Sequence, residues 1–273
     1  MARGCIMYKV YNLINNPNVE LVDEKGSFSV IEHVRDFSGA VLDPQKAYYE
    51  SQMGVRKRQL VCNLNKSGLA MEAGRMLWMV GDVELVTGVR GITDYLKKAI
   101  RSRATETKAV TSEYTGNGLV VSEPVYQHIL LLDTEDWGGE VTLADGMFFA
   151  CETSVKQVTV ARNTVSSAAA GNSGLLNLGL SGNGIVALRT PCPKEEIIEI
   201  ELENDTLKID GNFAIAWSSS LRFTVERSGK SLIGSAMTEE GLVNVYRGTG
   251  IVWTTPLLGR DKAQIIEHTE KTE

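Results

Sequence analysis

Histidine is scarce: only His33, His128 and His268 occur in 273 residues, far apart and without a second ligand at metal-site spacing. No metal site is assigned on that basis, and no cofactor is expected. The four cysteines (Cys5, Cys62, Cys151, Cys192) form no C-x-x-C pair. They read as free thiols of a reducing compartment, with Cys62 and Cys151 in apolar runs as small buried hydrophobes. No apolar run reaches the length that spans a bilayer. Residues 1–24 lack a signal-peptide layout, and Glu20, Asp23 and Glu24 argue against a transit peptide. The expectation is a soluble, cytoplasmic protein. An excess of positive charge is also missing: 28 Lys and Arg against 34 Asp and Glu give −6, which argues against a general nucleic-acid binder.

Catalytic signatures are missing as well. There is no G-x-S-x-G elbow, and no cysteine has an activating local context. Ser228-Gly229-Lys230-Ser231 resembles the end of a phosphate-binding loop, but Thr224 stands where the leading glycine belongs. Asp145 and Asp210 read as turn residues, and Trp217-Ser218-Ser219-Ser220 as a strand on the core. The expectation is a non-enzymatic protein with no catalytic, cofactor-binding or metal-binding residue.

What the chain does have is a period. Gly116-Asn117-Gly118-Leu119-Val120, Gly182-Asn183-Gly184-Ile185-Val186 and Gly248-Thr249-Gly250-Ile251-Val252 have their first glycines 66 residues apart. Each is followed by a proline, at 124, 191 or 256. A second marker, Gly74, Gly146 and Gly211, is followed 13 residues later by Thr87, Thr159 and Thr224. A shared period in two markers is the signature of a repeated supersecondary unit. Residues 145–160 and 210–225 align without a gap. The phrases themselves are weak nucleotide-binding signals, since Val121 replaces the third glycine and no helix follows. Glycine there serves positive φ or close backbone approach.

Around these markers the pattern is β throughout. Residues 60–64 and 69–71 flank Asn65-Lys66-Ser67-Gly68 as a hairpin, and residues 82–87 alternate in the period of a half-buried strand. The predicted fold is all-β, with three repeats at about 53–114, 115–180 and 181–258. Residues 1–52 form an N-terminal extension packing on this body, with a strand in 28–34 and a short helix from Pro44 capped by Asp43. Residues 259–273 form a polar tail. The last strand, Gly250 to Thr255, is expected to pair back near the first repeat and close a ring, unless the 28–34 strand takes that place.

The first repeat carries extra residues in 88–108. Arg90, Lys97, Lys98, Arg101, Arg103 and Lys108 against Asp94 and Glu106 give +4, so the remainder of the chain sums to −10. Ile92, Tyr95, Leu96, Ala99 and Ile100 follow helical spacing, which predicts a basic amphipathic helix over 91–103. Arg90, Lys97, Lys98, Arg101 and Arg103 are the candidate contacts to an anionic membrane surface or an acidic partner.

The run Glu240-Gly241-Leu242-Val243-Asn244-Val245-Tyr246-Arg247-Gly248-Thr249-Gly250, the Asp-Gly strands and the basic insert before Tyr114-Thr115-Gly116-Asn117-Gly118 resemble the altered-inheritance-of-mitochondria family, over roughly residues 53–258. The resemblance implies a TRAP-like fold: three tandem β-sandwich repeats in a pseudo-threefold body, akin to the tryptophan RNA-binding attenuation protein subunit. It also implies a bacterial-type cytoplasmic member, and homo-oligomers, since members of that fold tend to associate. Fungal relatives support mitochondrial inner-membrane organisation; without a transit peptide that role is not carried over. The family has no catalytic motif to transfer, and the fold name transfers neither tryptophan nor RNA binding. The functional expectation is a structural, assembly or scaffold role. The alternative is a binding module for a small ligand or an anionic partner (RNA or an anionic membrane) through the basic insert.

Overall fold

The computed structural model describes residues 8–35, 44–86, 111–161, 163–164, 176–210, 213–227 and 242–256. These form two β-sheets and one α-helix, so the all-β expectation holds. The predicted helix at 91–103, Gly211, Ser228 to Ser231 and the tail at 259–273 lie outside the described residues.

The chain enters through β1 (Val19–Lys25) and β2 (Phe28–His33), a hairpin turning on Gly26. Helix α1 (Pro44–Gln52) follows, starting at the proline as expected. Then come β3 (Lys57–Asn63), β4 (Leu69–Glu72), β5 (Met76–Val86) and β6 (Thr111–Ser122). The next stretch gives β7 (His128–Asp133), β8 (Glu140–Leu143), β9 (Phe148–Glu152) and β10 (Lys156–Ala161). Short β11 (Asn163–Thr164) precedes β12 (Leu176–Ser181) and β13 (Ile185–Thr190). The chain ends in β14 (Ile198–Asp210), β15 (Ala214–Ser218), β16 (Arg222–Arg227) and β17 (Leu242–Thr254).

One sheet runs β1-β2-β3-β6-β4-β9-β13-β7, with β5 on the other edge of β6. It curls until β1 and β7 approach each other, and a bridge between Arg58 and Val125 ties the start of β3 to the approach of β7. Inside the curl, Phe28, Leu60, Leu69, Met71, Val120 and Phe149 form a core with no water contact. The other sheet runs β10-β12-β8-β15-β17-β16-β11, with β14 along the far edge of β17. Between the sheets lies a second core, in which Cys151, Val186 and Leu188 meet Val141, Leu143, Leu180 and Ile215. Burial on this scale, at about 25 cal/mol per Å² of apolar surface, is the main force holding the body together.

β14 shows how the sequence writes such a strand. Ile200 and Leu202 pack on the core while Glu199, Glu201 and Glu203 face solvent, the two-residue period of a one-sided strand. Asn204 takes φ 51° and the register shifts between Leu202 and Asp205; Leu207 and Ile209 then turn inward again. The turn-forming Asn-Asp pair makes a bulge here, not a reversal.

The segment predicted as a hairpin, residues 60–71, behaves otherwise. β3 and β4 do not pair with each other; both pair with β6, at Leu119 to Val121 and at Thr111 to Tyr114 respectively. β7 and β8 likewise separate, one joining β13 and the other β12. The glycine phrases explain this. A strand about a dozen residues long bends at its middle and offers each half to a different partner. β6 and β17 run through the phrase, whereas β12 and β13 are the two halves of an interrupted one. At Gly116 φ is 112°, and a Cβ would strike the carbonyl oxygen of Asp82 on β5. Gly118 has ordinary φ, but its Cβ would strike the carbonyl of Val80. Glycine is required at both for the strands to cross closely.

Two further expectations are corrected. Gly250 to Thr254 pairs with β14 and β15, so the last strand does not close back on residues 53–114. The neighbour of β3 is instead β2, from the N-terminal extension, which joins the sheet by full antiparallel pairing. The gap-free alignment of 145–160 with 210–225 also fails as a structural equivalence. Thr159 pairs with Leu178, four residues before Gly182, while Thr224 pairs with Val245, three before Gly248. The one-residue offset places Thr159 in solvent and Thr224 in the interior.

Candidate functional site

A cleft of about 740 Å³ opens where strand ends from both sheets meet, with Arg58, His128, Asp145, Arg189, Tyr126 and Phe213 on its walls. Each charged group is placed by a strand terminus or turn. Arg58 lies in β3 and is buried. Its guanidinium pairs with Glu32 on β2 and donates to the carbonyls of Arg56 (3.3 Å) and Tyr126 (3.0 Å). The other oxygen of Glu32 accepts from Arg56 at 2.7 Å. Arg189 is the penultimate residue of β13, pairs with Glu72 at 2.8 Å and lies over the Phe149 ring at 5.5 Å. The same Glu72 oxygen accepts from Arg75 Nε at 2.9 Å, while Arg189 Nε is buried without a hydrogen-bond partner.

His128 begins β7. Burial, with the Arg58 cation as a second cause, pushes its imidazole down to about 4, so it is neutral at pH 7. Asp145 precedes Gly146, whose φ of 78° makes the turn into β9. The cleft thus offers a neutral imidazole and a carboxylate between two arginines already matched by carboxylates. Chemically this is a pocket of mixed polar and apolar lining, where cation charge is largely neutralised from within the fold.

Other buried polar groups serve the sheets. Glu152 accepts from Ser27 N (2.9 Å), Ser27 Oγ (2.7 Å) and Ile185 N (3.1 Å), tying the β1–β2 turn to β9 and β13. His33 meets the Gln59 side chain at 2.7 Å. Ser218 accepts from Ile251 N and Ser220 donates to the Thr249 carbonyl, so these hydroxyls of the serine run brace the Gly248 phrase. Cys62, Cys151 and Cys192 are free and buried, and burial pushes the Cys151 thiol up to about 12. Among the described residues, no group of three or more His, Cys, Asp or Glu is placed to hold a metal ion. Cys5 and His268 lie outside them.

The sequence-derived contacts Arg90, Lys97, Lys98, Arg101 and Arg103 also lie outside the described residues. The arginines of the cleft were missed. The sequence signal differs between them: Arg58 sits in the basic run Arg56-Lys57-Arg58, which reads as a solvated strand entry although the residue is buried, whereas Arg189 follows Ile185 to Leu188 directly.

A family profile described as Mitochondrial biogenesis AIM24 matches residues 49–257. The chain belongs to this family. Its fold is also that of the crystal structure of protein SPYM3_0169 from Streptococcus pyogenes. The two share 19% identity at a TM-score of 0.57, over 92% of this chain and 99% of the other. At that identity the likeness speaks for the fold alone. No individually curated protein matches the chain significantly. The family's description ties it to mitochondrial biogenesis and names no reaction. Among the described residues, no helix is long and apolar enough to cross a membrane.

Proposed function

We propose that this chain is a structural, self-assembling scaffold protein of the AIM24 family and not a catalyst. In this reading its body is three copies of one β-sandwich unit of TRAP-like kind, acting in the cytoplasm. One observation carries the proposal: the strongest cations of the cleft, Arg58 and Arg189, are paired with Glu32 and Glu72 on neighbouring strands. Groups matched inside the sheet stabilise the wall and leave little charge to act on a substrate. The reading of three copies is supported by strand pairing. Leu69, Val141 and Leu207 each face the residue two places before a phrase's first glycine: Tyr114, Leu180 and Tyr246.

Sedimentation velocity between about 1 and 100 µM tests the assembly reading. The expected result is a mass that is a multiple of the 29.8 kDa chain, rising with concentration. A monomer throughout contradicts it.

A second reading rests on the cleft itself, whose volume falls in the range of small-ligand sites and whose Arg189 Nε is unmatched. It takes the chain as a binding module for a small ligand. Thermal shift against a panel of small carboxylates tests it: a rise in melting temperature that disappears in R189M supports it, and no rise for any member contradicts it.

A further inference from the structure

The strands that join successive units do so in one register. β4 pairs with β9 so that Ala70 faces Cys151, and β8 pairs with β15 so that Thr142 faces Trp217. Ala70 and Thr142 hold the same place: each faces the residue three before a phrase's first glycine, Glu113 and Gly179. Lys208 holds that place in β14, facing Val245. Cys151 and Trp217 are matched in the same way, each facing the residue four after that glycine, Val186 and Val252. Met79 holds that place in β5, facing Val120. Even the irregularity recurs, for Leu77, Phe149 and Ile215 are each the extra residue at a register shift. Two joints are therefore made, and the two halves of a third are left over. Among the described residues β14 pairs only with β17 and β5 only with β6.

The open halves keep an interior composition. Phe149 and Cys151 are fully buried, as is Ile215, and Trp217 is 3% exposed. Their counterparts on β5, Leu77 and Met79, are 50% and 42% exposed. On β14, Leu207 and Ile209 stand where Leu69, Met71, Val141 and Leu143 are buried, yet remain only half-covered. Apolar side chains beside unpaired backbone at both ends are the two faces of one interface.

We propose that a second copy of this chain supplies the missing strand: β14 of one molecule pairs antiparallel with β5 of the next, Lys208 facing Met79, Leu207 facing Val80 and Ile209 facing Trp78. This rests on the assembly reading and gives it a partner, an edge and a register. The contact is head-to-tail, so each molecule keeps one donor and one acceptor edge until the rotation closes a ring. The Lys208 stem lies along Met79 while its ammonium stays in water.

Disulfide trapping tests the register. Met79→Cys and Lys208→Cys are placed in separate chains, mixed and oxidised, with the native chain as the blank for Cys62, Cys151 and Cys192. The expected product is a covalent dimer of the two variants, and none from Glu84→Cys with Lys208→Cys, which sits five residues out of register. Assembly of the native protein with no dimer from the 79/208 mixture overturns the proposed edge while the scaffold reading stands. Equal dimer from the 84/208 mixture overturns the register. A monomeric native protein overturns both, and makes Lys208 a charge that guards the edge. A charge exchange provides an independent reading: Met79→Lys weakens self-association at least about tenfold by facing Lys208, and adding Lys208→Glu restores it. Unchanged association of Met79→Lys contradicts the proposal.

Discussion

At the scale of single residues, His128 ties the cleft to the stability of the fold. Its folded value near 4 lies below the ordinary value of 6.5, so the unfolded chain binds the proton more readily between those pH values. Stability therefore rises with pH across about 4 to 6.5 and is flat in this group above it. Discounted for partial exposure, the effect is on the order of 1–2 kcal/mol. Urea unfolding of the native chain and H128Q at pH 4.5 and 7.5 reads it directly. The native midpoint should fall at the lower pH by more than that of the variant, and an equal fall in both would contradict the assignment. The buried thiols make a second residue-scale case. With Cys151 pushed up to about 12 and Cys62 raised well above the ordinary thiol value by complete burial, neither forms thiolate at neutral pH. Thiol titration with an aromatic disulfide should label both only in denaturant; rapid labelling of either in the native protein would place it at the surface.

Elements depend on the glycine phrases. Gly118→Val would force β6 away from the Val80 carbonyl, and the structure can relieve that only by opening the β5–β6 pairing. The expected cost is about 2–3 kcal/mol in equilibrium unfolding. Gly74→Ala, at φ 78° with open space around its Cβ, should cost only about 1–2 kcal/mol. Equal losses for both would mean that close approach is not what the phrase provides. Strand positions were legible in the sequence because one-sided burial writes a period of two, as Glu199 to Glu203 show. Pairing was not. The residues 65–68 have the composition of a hairpin turn, and nothing local reveals that β6 will enter between β3 and β4. The threonine marker misled for a related reason, since a one-residue offset in register is invisible in spacing but reverses the face. The cleft was hidden because Arg58, His128 and Arg189 lie on three strands separated by 131 positions and meet only when the first sheet curls.

At the scale of the whole molecule, the joints β4–β9 and β8–β15 link strands of like position, and β14 and β5 are the counterparts that no such joint uses. The N-terminal hairpin covers β3, and among the described residues β5 and β14 each keep a single strand neighbour, β6 and β17. Charge is uneven at this scale: +4 in residues 88–108 against −10 elsewhere. If Lys97, Lys98, Arg101 and Arg103 dock on an anionic membrane, the protein floats with anionic liposomes at low salt, and changing these four to glutamine abolishes flotation. Native protein remaining in the soluble fraction excludes that surface and leaves the insert a structural element. Neither outcome bears on the strand edges.

Hydrogen–deuterium exchange as a function of protein concentration tests the self-pairing of those edges most directly. The account predicts that amides in 76–80 and 205–210 become protected together as concentration rises from about 1 to 100 µM, while β13 and β7 do not change. Equal exchange of both segments at every concentration would contradict pairing between copies.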